Sequence, residues 1–360
     1  MRAEEKELFF QLSRFRHTDP EKLHKCLEAG ADTPAVLGEL FFNRMASIAY
    51  DVLMQNNLVY QTNREFRTAL QGAYVQNVQK NESYFICLDR LNDILRGCRG
   101  LYAMLKGAYL CRYYPDGYRT SNDVDLLVDA RDVTKVGDAL CDAGFRQGYI
   151  RNDRFVPAHR KEIIASKMMR GETVPYILPV NLPFLKFLEV DLNFSLSYTS
   201  SESDIVSSMI GSAQETKVRG MPILTLEPDD FLIHLCGHLY KEATTYPWVK
   251  MRRDMSLYKY CDLYLLLSNI SESGMDRLAR RIVGLGVNEP CYYAVWSTKQ
   301  LFDMHAYPLD QLLMLIAPDD LSFIDRVVSP AEQKTYDYKE PDLLKRFWAD
   351  DRTALLEECK

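Results

Sequence analysis

The hydrophobic rhythm of the chain changes twice. Up to about Arg99, apolar residues recur at three- and four-residue intervals, as at Leu88, Leu91 and Leu95, which is the spacing of one helix face. Asp19-Pro20 and Thr33-Pro34 each read as an N-cap followed by proline at the first helical position. Thr62-Asn63-Arg64-Glu65 has the form of a capping box, and Gly97 and Gly100 close the stretch. From Leu101 to Leu224 the pattern is mixed. It predicts strands over Leu101 to Leu105 and Asp123 to Val128, with a helical turn from Ala108 to Tyr113 broken by Pro115-Asp116-Gly117. A helix follows over Ala130 to Ala143, stopped by Gly144, then strand-like segments at Phe145 to Tyr149, Lys161 to Met169 and Phe187 to Phe194. From Leu226 the helical period returns, most clearly over Phe231 to Tyr240, Leu257 to Leu267, Met275 to Leu285 and Cys291 to Phe302. The predicted organisation is a helical region 1–99, an α+β core 100–224 and a helical region 225–360.

Composition narrows the picture modestly. The chain of 360 residues is 47% hydrophobic and 26% charged, enough to bury one large core or two ordinary ones. A formal net charge of −6 weighs against an extended nucleic-acid surface, which needs clustered Lys and Arg, but allows a local positive pocket. No apolar signal core follows Met1, and no apolar run approaches the length that spans a bilayer. Nine cysteines without a Cys-x-x-Cys pair read as reduced thiols. The expectation is a cytoplasmic protein with no membrane partner.

Chemistry concentrates in two alternating runs. In Ser121-Asn122-Asp123-Val124-Asp125-Leu126-Leu127-Val128, side chains alternate faces, so Asp123 and Asp125 point the same way. Most Asp-x-Asp pairs are solvated turn residues, but here an apolar strand follows. Two acids entering it are costly unless paired or metal-bound, and Mg²⁺ (or Mn²⁺) takes oxygen ligands of this kind. Upstream, Lys106-Gly107 supplies a turn where backbone N–H groups can approach a phosphate. The second run, Glu189-Val190-Asp191-Leu192-Asn193-Phe194, places Glu189 and Asp191 on one face. Two aspartates on one strand and a third on a neighbour can hold two metals for in-line displacement at phosphorus. Asp191 is the candidate third ligand and general base; the ordinary alternative is a strand acid paired with Lys or Arg.

Lys106-Gly107, Arg119, Ser-x-Asp-x-Asp-Leu-Leu-Val from Ser121 and Glu-Val-Asp-Leu-Asn-Phe from Glu189 together resemble the nucleotidyltransferase superfamily. The nearest part of it is its uncharacterised bacterial branch, the nucleotidyltransferase 5 family. The resemblance runs from about Asp93 to Leu267 and is specific at the Asp-x-Asp strand. It implies a small mixed β-sheet with helices behind it. It also implies catalytic and metal-binding roles for Asp123, Asp125 and Asp191, and nucleotide contacts from Lys106, Gly107, Arg119 and Ser121. One departure stands out: the superfamily usually has Gly-Ser where this chain has Gly107-Ala108. Lys106, Arg119 and Ser121 are the candidates to replace the missing hydroxyl's grip on phosphate.

Other clusters carry less. His234-Leu235-Cys236-Gly237-His238 puts two histidines on one helix face. Leu235 stands where a zincin needs Glu, and Cys236 points off the shared face, so helix packing is the preferred reading. The resemblance places His238 near the active site, with Lys241, Trp248 and Asp262 in the same region, Asp262 as a structural hydrogen-bond partner. His159, in His159-Arg160-Lys161, is a further candidate substrate contact, against the ordinary reading of a surface cluster. The 22 tyrosines are dispersed and form no base-stacking ladder. The expected activity is Mg-dependent transfer of a nucleoside monophosphate from a nucleoside triphosphate to a hydroxyl on a small-molecule or protein acceptor, with pyrophosphate released. The alternatives are a catalytically weak nucleotide sensor or scaffold of the same fold, and a phosphotransferase acting at the γ-phosphorus.

Overall fold

Strands β1 (Tyr102–Met104) and β2 (Asp123–Val128) lie antiparallel inside an eight-stranded sheet, in a computed structural model that describes residues 1–169, 171–196, 203–305 and 307–359. The remaining strands are β3 (Arg146–Arg151), β4 (Arg154–Pro157), β5 (Tyr176–Leu182), β6 (Leu185–Asn193), β7 (Gln214–Val218) and β8 (Met221–Thr225). Their order is β4-β3-β5-β6-β2-β1-β8-β7, with β2 parallel to β6 and β1 parallel to β8. A separate three-stranded antiparallel sheet is made of β9 (Arg326–Ser329), β10 (Lys334–Tyr338) and β11 (Leu356–Glu358). The fold is mixed α+β.

β2 is central and buried from Val124 onward, which is why its sequence is continuously apolar after the acids. β6 alternates, with Leu188, Val190 and Leu192 buried, because only one of its faces meets the core. The helix Arg64–Ile94 caps on Asn63, whose Oδ1 accepts from the Phe66 N–H at 2.8 Å. Its C-terminal half buries Tyr84, Leu88 and Leu91 under the sheet. Helix Pro228–Ala243 packs against helices Leu257–Leu267, Glu272–Leu285 and Asn288–Phe302. Its buried Asp229 and Asp230 are each held by both arms of an arginine from helix Glu272–Leu285, Arg277 and Arg281. One continuous apolar core joins Leu8 and Phe9 near the N-terminus, Val124 and Leu126 in the sheet, and Leu235 and Tyr264 in the later helices. Among the described residues no helix is long and apolar enough to cross a membrane.

The structure corrects several sequence expectations. Lys161 to Met169, read as a strand from Ile163 and Ile164, is part of helix Arg160–Met169. The deciding contact is local: Glu162 accepts the His159 N–H at 2.6 Å, half of a capping box. Two caps shift by one residue. Asp32, not Thr33, caps helix Thr33–Phe42, while the Thr33 hydroxyl accepts from Asn63; Thr62 bonds back to the Val59 carbonyl and leaves the cap to Asn63. Strands β4, β5, β7 and β8 had no expectation, and β9, β10 and β11 form a sheet inside the region 225–360 that was expected to be helical. β7 is mostly polar and exposed, and β5 carries Pro179 beside a register shift against β6.

The segment between helices Tyr246–Lys250 and Leu257–Leu267 is pinned to the C-terminal tail. Asp254 and Arg352 form a salt bridge with both side chains almost fully buried. Breaking it strands a buried charge, so Asp254→Asn should cost about 3–5 kcal/mol. Denaturant unfolding measures this; a loss below about 1 kcal/mol would mean that the pair is solvated in solution.

Candidate active site

The register between β2 and β6 sets the site. Asp123 lies beside Glu189 and Asp125 beside Asp191, so four carboxylates occupy two alternate rungs of a parallel pair, with Val124 and Val190 between them. Directly opposed like charges destabilise a sheet. Here a single lysine sits among them: Lys106 Nζ donates to Asp125 Oδ1 at 2.8 Å. Asn193 Nδ2 donates more weakly to the same oxygen, at 3.4 Å. Ser121 donates its hydroxyl to Asp123, and Tyr84 donates to the Asp123 carbonyl at 3.1 Å.

Lys106 occupies its place at a conformational cost. Its φ is +41°, a region sparsely used by residues with a side chain, where β1 turns into the short helix Gly107–Leu110. The next residue has to be small. A Cβ on Gly107 would stand 3.1 Å from Ser121 Cβ and 3.3 Å from the Tyr84 hydroxyl. Ser121 thus sets a hydroxyl against Gly107 in this turn.

The electrostatics follow from the charge count. Burial disfavours the Asp123 carboxylate, but Lys106 and the Ser121 hydrogen bond outweigh it, and its pKa falls below the ordinary value. Asp125 is raised, by burial and by Asp123, despite Lys106. Asp191 is raised much further, by burial and by repulsion from Asp125 and Asp123. Burial and then Asp123 raise Glu189 as well. Burial opposes the Lys106 charge, but Asp125 and Asp123 more than restore it.

A cavity of about 400 Å³ opens over these groups. Asp123, Asp125, Asp191, Lys106, Arg119, Ser121 and His238 all line it. The structure thus brings together the sequence candidates from four separate stretches of chain. Gly107 and His159 are the exceptions: Gly107 is buried in its turn, His159 is exposed at the start of its helix, and neither lines the cavity. Arg119 lines the cavity and is also engaged within the protein. Two of its nitrogens bind Asp262 at 3.0 and 3.2 Å and the third binds the Thr120 carbonyl, while Tyr114 also donates to Asp262. Its guanidinium is a buried strut that ties the loop before β2 to helix Leu257–Leu267. His234 is buried and does not line the cavity. Burial lowers its pKa to about 3, so it is neutral. His238 is also held well below its ordinary value, first by burial and then by Lys106 and Lys259.

Sequence reasoning passed over Arg44, Glu172, Glu242, Arg253, Tyr258 and Lys259 on the cavity wall. Glu242 pairs with Lys259, whose ammonium lies 4.9 Å from the Trp248 ring. None of these belongs to a short motif; only the tertiary fold collects them.

The donor set suits a hard divalent cation: Asp123, Asp125 and Asp191 offer only oxygen, and their net negative charge is not balanced by Lys106 alone. The cage is not closed. Among the described residues, no three His, Cys, Asp or Glu side chains converge as a ready-made ion site. Lys106 holds one Asp125 oxygen and Ser121 one Asp123 oxygen, so an ion would share or displace those donors.

The site is thus a mixed sheet that carries paired aspartates on one strand and a third on its parallel neighbour. Comparison with family models identifies the chain: it belongs to the family described as uncharacterised nucleotidyltransferase, whose model matches residues 30–303. That match takes in the helices before Asp93, beyond the stretch over which motifs alone carry the resemblance. Comparisons with curated proteins and with solved structures find no match.

The raised pKa of Asp191 fixes the sign of a pH effect. Between the ordinary carboxylate pKa and the higher folded value, the native state binds the proton that the unfolded state releases, so stability falls as pH rises across that window. Asp191→Asn should therefore raise the metal-free melting temperature at neutral pH by about 2 °C or more, and leave it little changed near pH 3. A lower melting temperature at neutral pH would show that the Asp191 charge is compensated in the native protein.

Proposed function

We propose that this protein is a Mg²⁺- or Mn²⁺-dependent nucleotidyltransferase that moves a nucleoside monophosphate from a nucleoside triphosphate to an acceptor hydroxyl. The carrying observation is the side-by-side register of Asp125 and Asp191, with Lys106 between strand and cavity. Asp123, Asp125 and Asp191 would hold the cation, which when bound neutralises phosphate oxygens and charge on the leaving group.

The acceptor oxygen forms a bond to the α-phosphorus, the bond from that phosphorus to the bridging oxygen breaks, and pyrophosphate leaves. Asp191 takes the acceptor proton, a task suited by a carboxylate whose basicity burial and its acidic neighbours have raised. The Lys106 ammonium, kept charged by Asp125 and Asp123, sets a fixed positive charge beside the reacting phosphate. Arg119 positions the Ser121-Asp123 loop by its grip on Asp262 and lines the same cavity.

A second reading, a nucleotide sensor with the same fold, has one observation in its favour: the carboxylate oxygens are engaged by Lys106 and Ser121 and form no open cage. Pyrophosphate release separates the two. Pure protein is incubated with each ribonucleoside triphosphate, Mg²⁺ or Mn²⁺, and a panel of hydroxyl acceptors. The proposal expects release that falls at least a hundredfold in Asp123→Ala and Asp125→Ala proteins of unchanged fold. Nucleotide binding without release supports the sensor, and full activity in Asp123→Ala refutes the mechanism.

A further inference from the structure

A second cavity, of about 680 Å³, adjoins the first and shares Arg44, Arg119, Ser121, Asp123 and Tyr258 with it. Its far wall is the N-terminal half of helix Arg64–Ile94, where Ala69, Gly72 and Ala73 leave room and Gln76, Asn77 and Lys80 add polar groups. Asp123 thus stands at the junction of two chambers.

The cations around that junction divide into two kinds. Lys106 is bound to Asp125, Arg119 to Asp262 and Lys259 to Glu242. Arg44 and Lys80 make no hydrogen bond or ion pair to an acid among the described residues. Arg44 lies 4.5 Å from the Tyr258 ring, on the wall common to both chambers. Its backbone has φ +58°, at the turn that follows helix Thr33–Phe42, a position that glycine takes more readily. Lys80 is half-buried in the second chamber, close enough to Arg44 for the two to repel. Burial and Arg44 both lower its pKa, while Asp123 opposes them. Two cations without an ion pair of their own face a polar cavity that Asp123 and Glu189 also line, and unpaired cations of this kind suit a phosphate.

We propose that Arg44 and Lys80 form a phosphate site in the second chamber, which holds a phosphoryl group of a substrate across Asp123 from Lys106. This rests in part on the nucleotidyl-transfer reading, since that reaction needs two substrates and generates a polyanionic leaving group. The same chemistry suits either the terminal phosphates of the nucleotide or a phosphorylated acceptor, such as a sugar phosphate. Both cations come from the helical region before the Asp-x-Asp strand, so that region supplies part of the site.

Calorimetry with inorganic pyrophosphate, a nucleoside triphosphate, the matching monophosphate and glucose 1-phosphate tests it. The full-length protein is compared with Lys80→Met and Arg44→Gly. Arg44→Gly relieves the left-handed backbone, so its melting temperature should hold or rise even as binding falls, a pattern that a merely structural role does not give. Each variant should weaken phosphate binding roughly ten- to hundredfold, the loss of one charge-assisted contact. A loss seen with pyrophosphate and triphosphate but not monophosphate assigns the site to the nucleotide tail. A loss confined to glucose 1-phosphate assigns it to the acceptor. Both support the phosphate site. Unchanged affinities in both folded variants, or no anion binding by the wild type, overturn it. If pyrophosphate binds through Lys80 and Arg44 while no nucleotide binds with Mg²⁺, the anion site stands and nucleotidyl transfer falls.

Discussion

Like charge placed on adjacent strands is the constraint around which this structure is arranged. The parallel pairing of β2 with β6 sets Asp125 beside Asp191 and Asp123 beside Glu189. A sheet selected for stability alone would not put four acids on two rungs. Lys106 compensates for only part of that charge, and it does so from a strained backbone position at the end of β1. The remaining imbalance appears as the raised pKa of Asp191. The cation proposed above would supply the missing counter-charge at this cluster of oxygen donors.

The surrounding elements hold this cluster in place. Arg119 and Asp262 clamp the loop that enters β2, and Tyr114 completes the clamp. The paired arginines Arg277 and Arg281 fix helix Pro228–Ala243, which brings His238 and Glu242 to the cavity wall. The buried Asp254–Arg352 bridge anchors the segment carrying Arg253 and Ser256. Charged residues far apart in sequence thus act as the scaffold's fasteners, and the groups that face the cavity are aimed by them.

The β2 strand was legible because its acids and its buried run are adjacent in sequence; its ends coincide with the alternation, as do those of helix Leu257–Leu267. The carboxylate site was legible for the same reason: each half is a short motif. The misread elements are those where a local contact overrides pattern. Ile163 and Ile164 favour a strand, yet Glu162 caps a helix there. Arg119 reads in sequence as a loop cation near phosphate, and only the fold reveals that Asp262, more than a hundred residues on, occupies its guanidinium. Arg44 and Lys80 carried no sequence signal, because one sits at a helix end and the other on the polar face of a long helix.

On the function proposed above, the β2–β6 carboxylates take a divalent cation together with a nucleoside triphosphate. Electron paramagnetic resonance of Mn²⁺ tests this most directly, by titrating the protein with the ion in the presence and absence of nucleotide. The account predicts that nucleotide converts free Mn²⁺ signal into bound ion, and that Asp125→Asn and Asp191→Asn each abolish the conversion while the protein stays folded. Equal Mn²⁺ binding by wild type and both variants would contradict it.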